Sequence, residues 1–358
     1  MANYTSVPDD DYDVLIEGDQ NSNETVLQGD LDNGDIGQCH RYDPQVLSSW
    51  LVPQLYTTVS LVGLLDNILV VFILVKYKRL RHVENIYFLN LALSNLCFLL
   101  TLPYWARAAS HEEIRGHPTC TVFVTLSSVG LHSEALFSAL LTLHSYLVFS
   151  HVRGLSLAAK RVPCGVIASV LAWLAAILLT VPEFLFHGWQ VDSQHPACSL
   201  SKPHFLPARG PFWEHFLTLK VNVAALLVPL LVFIVCFVRM RETLRCRERR
   251  SDLFKLVFAV MAVFLLMWGP YNVALFLSTF KESFSLHDCR SGYDLDRSIQ
   301  VTRIIASTHC CVNPLLHVLL DKAFRDRLCC LCGDAPLPPA EGPARAPPQA
   351  GGDHCTAL

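Results

Sequence analysis

TVFVTLSSVGLHSEALFSALLTLHSYLVF, residues 121–149, is an apolar run of 29 residues whose one formal charge is Glu134. At 1.5 Å per residue a helix of that length reaches roughly 43 Å, more than the ~30 Å apolar core of a bilayer. It is therefore predicted to cross a membrane steeply tilted and to project beyond it. Its two ends differ chemically: Cys120 opens it, and HSYLVFSHVRG, polar and basic, closes it. The competing reading, a buried helix of a large globular enzyme, has to explain every other apolar run in the chain.

Composition points the same way. Hydrophobic residues make up 52% of the 358 residues and charged residues 16%, whereas soluble chains average about 25% charged. The net charge of −3 conceals an asymmetry. The first forty residues carry Asp9, Asp10, Asp11, Asp13, Glu17, Asp19, Glu24, Asp30, Asp32 and Asp35 but no Lys or Arg, so a disordered tail is expected over 1–45. Neither a basic leader nor an early apolar run precedes it, and the first span is expected to act as its own insertion signal.

Apolar windows recur near 51–75, 85–106, 119–149, 162–185, 213–238, 253–279 and 297–320. Seven spans put the termini on opposite sides. Basic residues alternate between the connecting segments, 17 on one side (among them Lys76, Arg79, Arg153, Arg161, Arg247 and Arg325) and eight on the other (among them Arg41, Arg115 and Lys202). The more positive side stays cytoplasmic, which places the acidic tail outside. The fold class predicted is an all-α membrane protein: a seven-transmembrane helix bundle over 46–320, a short amphipathic eighth helix over 321–332, and a disordered cytoplasmic tail over 333–358. The short loops leave no room for a second folded domain.

Four cysteines, Cys39, Cys120, Cys198 and Cys289, fall on the outer side and allow three pairings. Cys120–Cys198 with Cys39–Cys289 is favoured, because the first anchors a long loop to the central helix and the second ties the tail to the last two spans. Asn3 in NYT and Asn23 in NET are glycosylation sequons that are usable only on the same side. Together these features predict a multi-pass plasma-membrane protein with an extracellular N-terminus.

Asn67 in LLDNILVV, LNLALSN ending at Asn95, Trp173, Pro229, WGPYN at Trp268–Asn272 and NPLLH at Asn313–His317 occur in this order on successive spans. That series resembles the rhodopsin-like seven-helix receptors over about residues 40–330. Within them, TLPYW at Thr101–Trp105, FWEHFLTLK at Phe212–Lys220, LRCR at Leu244–Arg247 and THCCVNP at Thr308–Pro314 look like chemokine receptors. The four outer cysteines match that family's two disulfides. The departures described next make the chain resemble the family's atypical members.

In signalling relatives the third span ends in Asp-Arg-Tyr, whose arginine engages the G protein; here the same register reads His144-Ser145-Tyr146. Ser145 cannot supply a long, permanently charged fork. Relatives also close the active-state network with one tyrosine on the fifth span and one on the seventh, and those registers hold Phe237 and His317. The resemblance with these losses implies weak or absent G-protein coupling through one connected apparatus. Relatives hold a sodium-binding aspartate on the second span opposite a small polar residue on the third; this chain has Asn95 and Glu134 there. A buried acid in a bilayer needs a partner, and two readings stand open. One is a Glu134, His309, Asn95, Asn313 cluster that fixes the bundle; the other is a protonated Glu134 bonded to backbone.

Asp9, Asp10, Asp11 and Asp13 surround Tyr12, the setting in which relatives are tyrosine-sulfated, and would steer a basic protein by long-range attraction. Trp105 and Arg303 are the expected ligand-facing residues at the outer ends of the second and seventh spans. Relatives commonly place a glutamate in the register of Arg303 to meet a chemokine's amino terminus; a cation there repels an ammonium and suits a carboxylate or a ligand held by tail and loops. The resemblance implies an extracellular chemoattractant protein, chemerin or a C-C chemokine, presented to a signalling receptor with which the chain could form a heteromer. An ordinary G-protein-signalling chemokine receptor is the alternative. A transporter or channel would need repeats, broken-helix pairs or a charged ring, none of which is legible. No metal-spaced His/Cys set or nucleophile elbow marks an enzyme; no cofactor and no nucleic-acid partner is expected.

DKAFRDRLCCLC reads as the eighth helix, with Phe324 and Leu328 at i, i+4 facing lipid and Arg325 and Arg327 toward headgroups of the membrane lipids. Cys329, Cys330 and Cys332 then lie at the membrane surface as palmitoylation candidates. The tail beyond contains no serine and only Thr356, which predicts weak phosphorylation-dependent arrestin binding. Its final triplet, Thr356-Ala357-Leu358, fits the pattern by which a free C-terminus adds as a strand to a PDZ scaffold.

Overall fold

An open chain can cross hydrocarbon only by closing its backbone hydrogen bonds within each segment, so every apolar run becomes a helix. The computed structural model describes residues 50–78, 80–109, 117–149, 161–191, 196–200, 210–244, 251–286 and 288–332, all within one unit, Arg41–Leu358. Among the described residues, seven helices are long and apolar enough to span a membrane: Leu51–Tyr77, Val83–Ala108, Thr119–Val148, Val162–Phe186, Phe212–Arg239, Phe254–Thr279 and Arg290–Leu320. They are the first to seventh spans below. The eighth helix is Lys322–Cys332. The chain is thus an all-α, multi-pass membrane bundle.

Prolines shape the spans, and polar side chains answer the carbonyls that they leave free. Pro103 cannot donate to Leu99 O four residues back, and the second span breaks between Leu99 and Leu102. The Ser60 hydroxyl of the first span donates to that carbonyl at 3.1 Å. Pro314 likewise frees Cys310 O in the seventh span, and the Asn67 amide donates to it at 2.9 Å. Two spans that lie far apart in sequence are tied at the point where one helix is weakest. The fifth span carries a π-helical turn, Asn222–Leu227, just before Pro229, as is common where a helix accommodates an irregularity.

The third span is the centre of the bundle and the longest helix, His117–Phe149. It buries His132, Ser133, Glu134, Ser138, Thr142, His144 and Ser145 along its length. Gly130 lets the second span come close: a Cβ there would lie 2.9 Å from Phe98 N, backbone that cannot give way. The outer faces of the other spans expose Leu65, Leu171, Leu178, Leu231 and Leu266, the lipid-facing pattern of a bundle whose polar groups point inward. Trp173 donates to Asn90 Oδ1 at 2.8 Å and fastens the fourth span to the second.

Three features differ from the sequence reading. A two-stranded antiparallel hairpin, β1 His187–Val191 and β2 Pro196–Leu200, follows the fourth span with Trp189 opposite Cys198. The seventh span begins at Arg290 rather than near 297, because Asp288 caps its first turn by accepting from Ser291 N at 3.0 Å. That bond to Ser291 holds the exposed Asp288 carboxyl below the usual range. Finally, Phe324 does not face lipid: it is 1% exposed and packs into the core cluster with Val70, Leu74 and Phe88, and Leu328 packs against the same cluster.

Candidate functional site

The candidate side chains fall at three levels of the bundle. Toward the N-terminal end of the third span, the side expected to be outer, a cavity of about 550 Å³ opens between the first, second, third, fourth, fifth, sixth and seventh spans. Trp105 and Arg303 both line it, and the Arg303 guanidinium lies 4.3 Å over the Trp105 ring. Its wall otherwise consists largely of aromatic and aliphatic side chains, with Tyr56, Phe98, Trp268 and Tyr271 among them. Glu183 also lines it, and is held by Lys220 of the fifth span; Lys220 Nζ donates in addition to Leu179 O at 2.6 Å.

Below the cavity, Trp268 rests edge-on against the His309 ring, centroids 5.4 Å apart. His309 Nε2 pairs with Glu134 Oε2, and Asn313 Nδ2 donates to Glu134 Oε1 at 3.2 Å. Glu134 is 1% and His309 0% exposed. The single acid of the third span therefore meets two polar groups of the seventh, one helical turn apart. Asn95 does not join this cluster: its amide donates to Asn67 Oδ1 at 3.1 Å. Asn67 is drawn toward the Cys310 carbonyl that Pro314 frees, and its own oxygen is thereby presented to Asn95. Of the two readings of Glu134, the geometry supports the pair with a side chain over the backbone bond.

At the inner level, His144 Nε2 lies 3.5 Å from Glu84 Oε2 of the second span and edge-on to Tyr87. Ser145 beside it is buried, and Tyr146 packs against the cluster of Cys236, Phe254 and Phe258. Phe237 is 44% exposed and lies against Phe233 and Phe258, with ring centroids 5.9 and 5.7 Å away. His317 sits between Phe88, at 4.6 Å, and Phe324, at 5.5 Å. These positions occupy three different surroundings. A phenyl ring without a hydroxyl turns to its aromatic neighbours and to lipid.

The model of the 7 transmembrane receptor (rhodopsin family) matches residues 66–317. The chain is 57% identical to chemokine C-C motif receptor-like 2 of Bos taurus over 348 residues, 96% of this chain and 97% of that protein. It is 53% identical to C-C chemokine receptor-like 2 of Homo sapiens over 363 residues, 99% of each, and 49% identical to that of Mus musculus over 355 residues. The chain belongs to the rhodopsin family of seven-transmembrane receptors, in its C-C chemokine receptor-like branch. These are receptors, not enzymes.

Asn3, Asp9, Asp10, Asp11, Tyr12, Asp13, Asn23, Cys39, Thr356 and Leu358 fall outside the described residues, as do the side chains of Cys198, Cys289, Cys330 and Cys332. Cys120, at the outer end of the third span, is disulfide-bonded. Cys329 is exposed and free. Arg325, expected at the headgroups, donates to Val318 O at 3.2 Å and Leu319 O at 2.7 Å, capping the seventh span.

Two pairs escaped the sequence reading. Glu183 is the one charge of the fourth span and Lys220 lies well inside the fifth, and an acid and a base so placed on neighbouring spans call for each other. Glu84 offers a weaker signal, because it stands near the membrane end, where solvent could have served it equally well.

Proposed function

We propose that the receptor captures a chemoattractant protein at the plasma membrane, N-terminus outside, and presents or concentrates it with little or no G-protein signalling. The observation that carries this reading is the inner end of the third span. Where signalling relatives keep an acid and an arginine fork, His144 is engaged by Glu84 and Ser145 is a short buried hydroxyl. Phe237 and His317, in the registers of the two tyrosines, are committed to separate aromatic contacts and cannot exchange a hydroxyl bond. A conformational change needs a ligand that prefers one state, and also an inner surface that a G protein can read in that state. The ligand class is an extracellular protein: a C-C chemokine by the names of the relatives, chemerin by resemblance to the atypical members, with a signalling receptor on the same or a facing cell as its recipient.

The test is to add purified chemerin and C-C chemokines to cells expressing the receptor, and to measure surface binding and G-protein dissociation in the same wells. Saturable binding of at least one ligand without dissociation is expected. Robust dissociation at saturating ligand would instead establish a signalling chemokine receptor, and absence of binding by all of them would reject the ligand class.

A further inference from the structure

The outer cavity carries a cation that nothing inside it answers. Arg303 stacks on Trp105, and among the described residues no carboxylate pairs with its guanidinium. Of the two acids in the wall, Glu183 is engaged by Lys220 and Glu214 is solvent-exposed on the fifth span. The buried indole N–H groups of Trp105 and Trp268 also lack an acceptor, and Trp268 is only 3% exposed. The guanidinium thus stands in a wall made mostly of rings and aliphatic side chains, with the hydroxyls of Ser127, Ser128, Thr218 and Ser307 among them, and with the two unsatisfied indoles belonging to lining residues. A half-buried guanidinium without an acceptor is costly, and a ligand that brings a carboxylate relieves that cost.

We propose that this cavity binds a small apolar monocarboxylate, its carboxylate on Arg303 and its apolar body against Trp105, Phe98, Leu102 and Trp268. The guanidinium is a planar fork that matches a carboxylate with two parallel hydrogen bonds, and stacking on Trp105 holds that fork in one plane. A single negative charge is selected, because Lys220 is already committed and Glu214 repels a second. A free ammonium would face Arg303 and is disfavoured. The volume, about 550 Å³, falls within the roughly 300–1,000 Å³ typical of small-molecule sites. This site is separate from capture of a protein by the acidic tail and does not depend on whether the receptor signals.

The experiment uses the full-length receptor in nanodiscs, with 11-(dansylamino)undecanoic acid as probe and energy transfer from tryptophan to dansyl as readout. Saturable transfer is expected, displaced by decanoate and not by decanol, and absent with the probe's methyl ester. Arg303→Gln should weaken binding at least about tenfold, the loss expected for one desolvated charge-assisted pair, and Arg303→Lys should lose less. Arg303→Glu should abolish binding of the acid and admit a dansylated alkylamine. Equal signals from acid and ester on the wild-type receptor would mean partition into lipid and would overturn the proposal without any variant. Equal affinity in wild type and Arg303→Gln would overturn it as well.

Discussion

Glu134 and His309 form a pair that neither residue could sustain alone in the middle of a bilayer. Removing one leaves the other buried without its partner, so Glu134→Gln and His309→Gln should each lower the apparent melting temperature by several degrees. The double substitution should lose less than the sum, with a coupling of about 1–2 kcal/mol, near the upper end for polar pairs between membrane helices; strictly additive losses would show that the two do not act together. Glu134 was legible as the one charge in its span, and His309 as its nearest partner by register. Asn95 was misplaced because its rotamer follows a carbonyl that Pro314 frees on another helix, which no local pattern announces. The inner face holds a second expectation at this scale. His144→Asp with Ser145→Arg places a carboxylate against Glu84, a like-charge contact, so the two-residue repair should give little G-protein coupling. Adding Phe237→Tyr, His317→Tyr and Glu84→Gln should give more than the separate repairs sum to in a G-protein dissociation assay. Full coupling from the two-residue repair would remove the multi-site account.

The eighth helix shows what periodicity can and cannot say. Its existence was legible from Phe324, Leu328 and the intervening charges, but the face was not: a core of leucines and a lipid tail are equally apolar, so the i, i+4 pair reads the same for either. Two backbone-directed contacts determine the outcome. Asp321 Oδ1 accepts from Phe324 N at 3.1 Å at the start of the helix, and Arg325 caps the seventh span, which turns Phe324 under the bundle against His317. Phe324→Ala should therefore destabilise the receptor by about 3 kcal/mol, as for a buried ring in a packed core, and should be read as a lower melting temperature and reduced surface level; a lipid-facing phenylalanine would leave both unchanged. With Phe324 inward, Cys329 remains exposed on the helix. Metabolic labelling with an alkyne palmitate should fall on Cys329→Ser and disappear when Cys330→Ser and Cys332→Ser are added. Full labelling of the triple variant would place the acyl chain elsewhere.

At the scale of the whole molecule, hydrophobic length alone gave the seven spans, because each must satisfy its own backbone in lipid. The hairpin β1–β2 and the early start of the seventh span were not legible, since both are built in water from polar sequence where apolar periodicity is silent. The expected orientation, N-terminus outside, is argued from two asymmetries. Basic residues favour one face by 17 to eight. The bonded Cys120 lies at the opposite end of the bundle, and the free Cys164 and Cys329 at the basic end, as expected when one face is oxidising and the other reducing. An outer N-terminus exposes Asn3 and Asn23 to glycosyl transfer. The wild-type receptor should then fall in apparent mass on N-glycosidase digestion, by one step fewer in Asn3→Gln or Asn23→Gln, and not at all in the double variant. An N-terminal epitope tag should stain on unpermeabilised cells in all four forms. Tag staining that requires permeabilisation, on a receptor recovered from the cell surface, would reverse the topology and with it the placement of the Arg303 cavity on the ligand side.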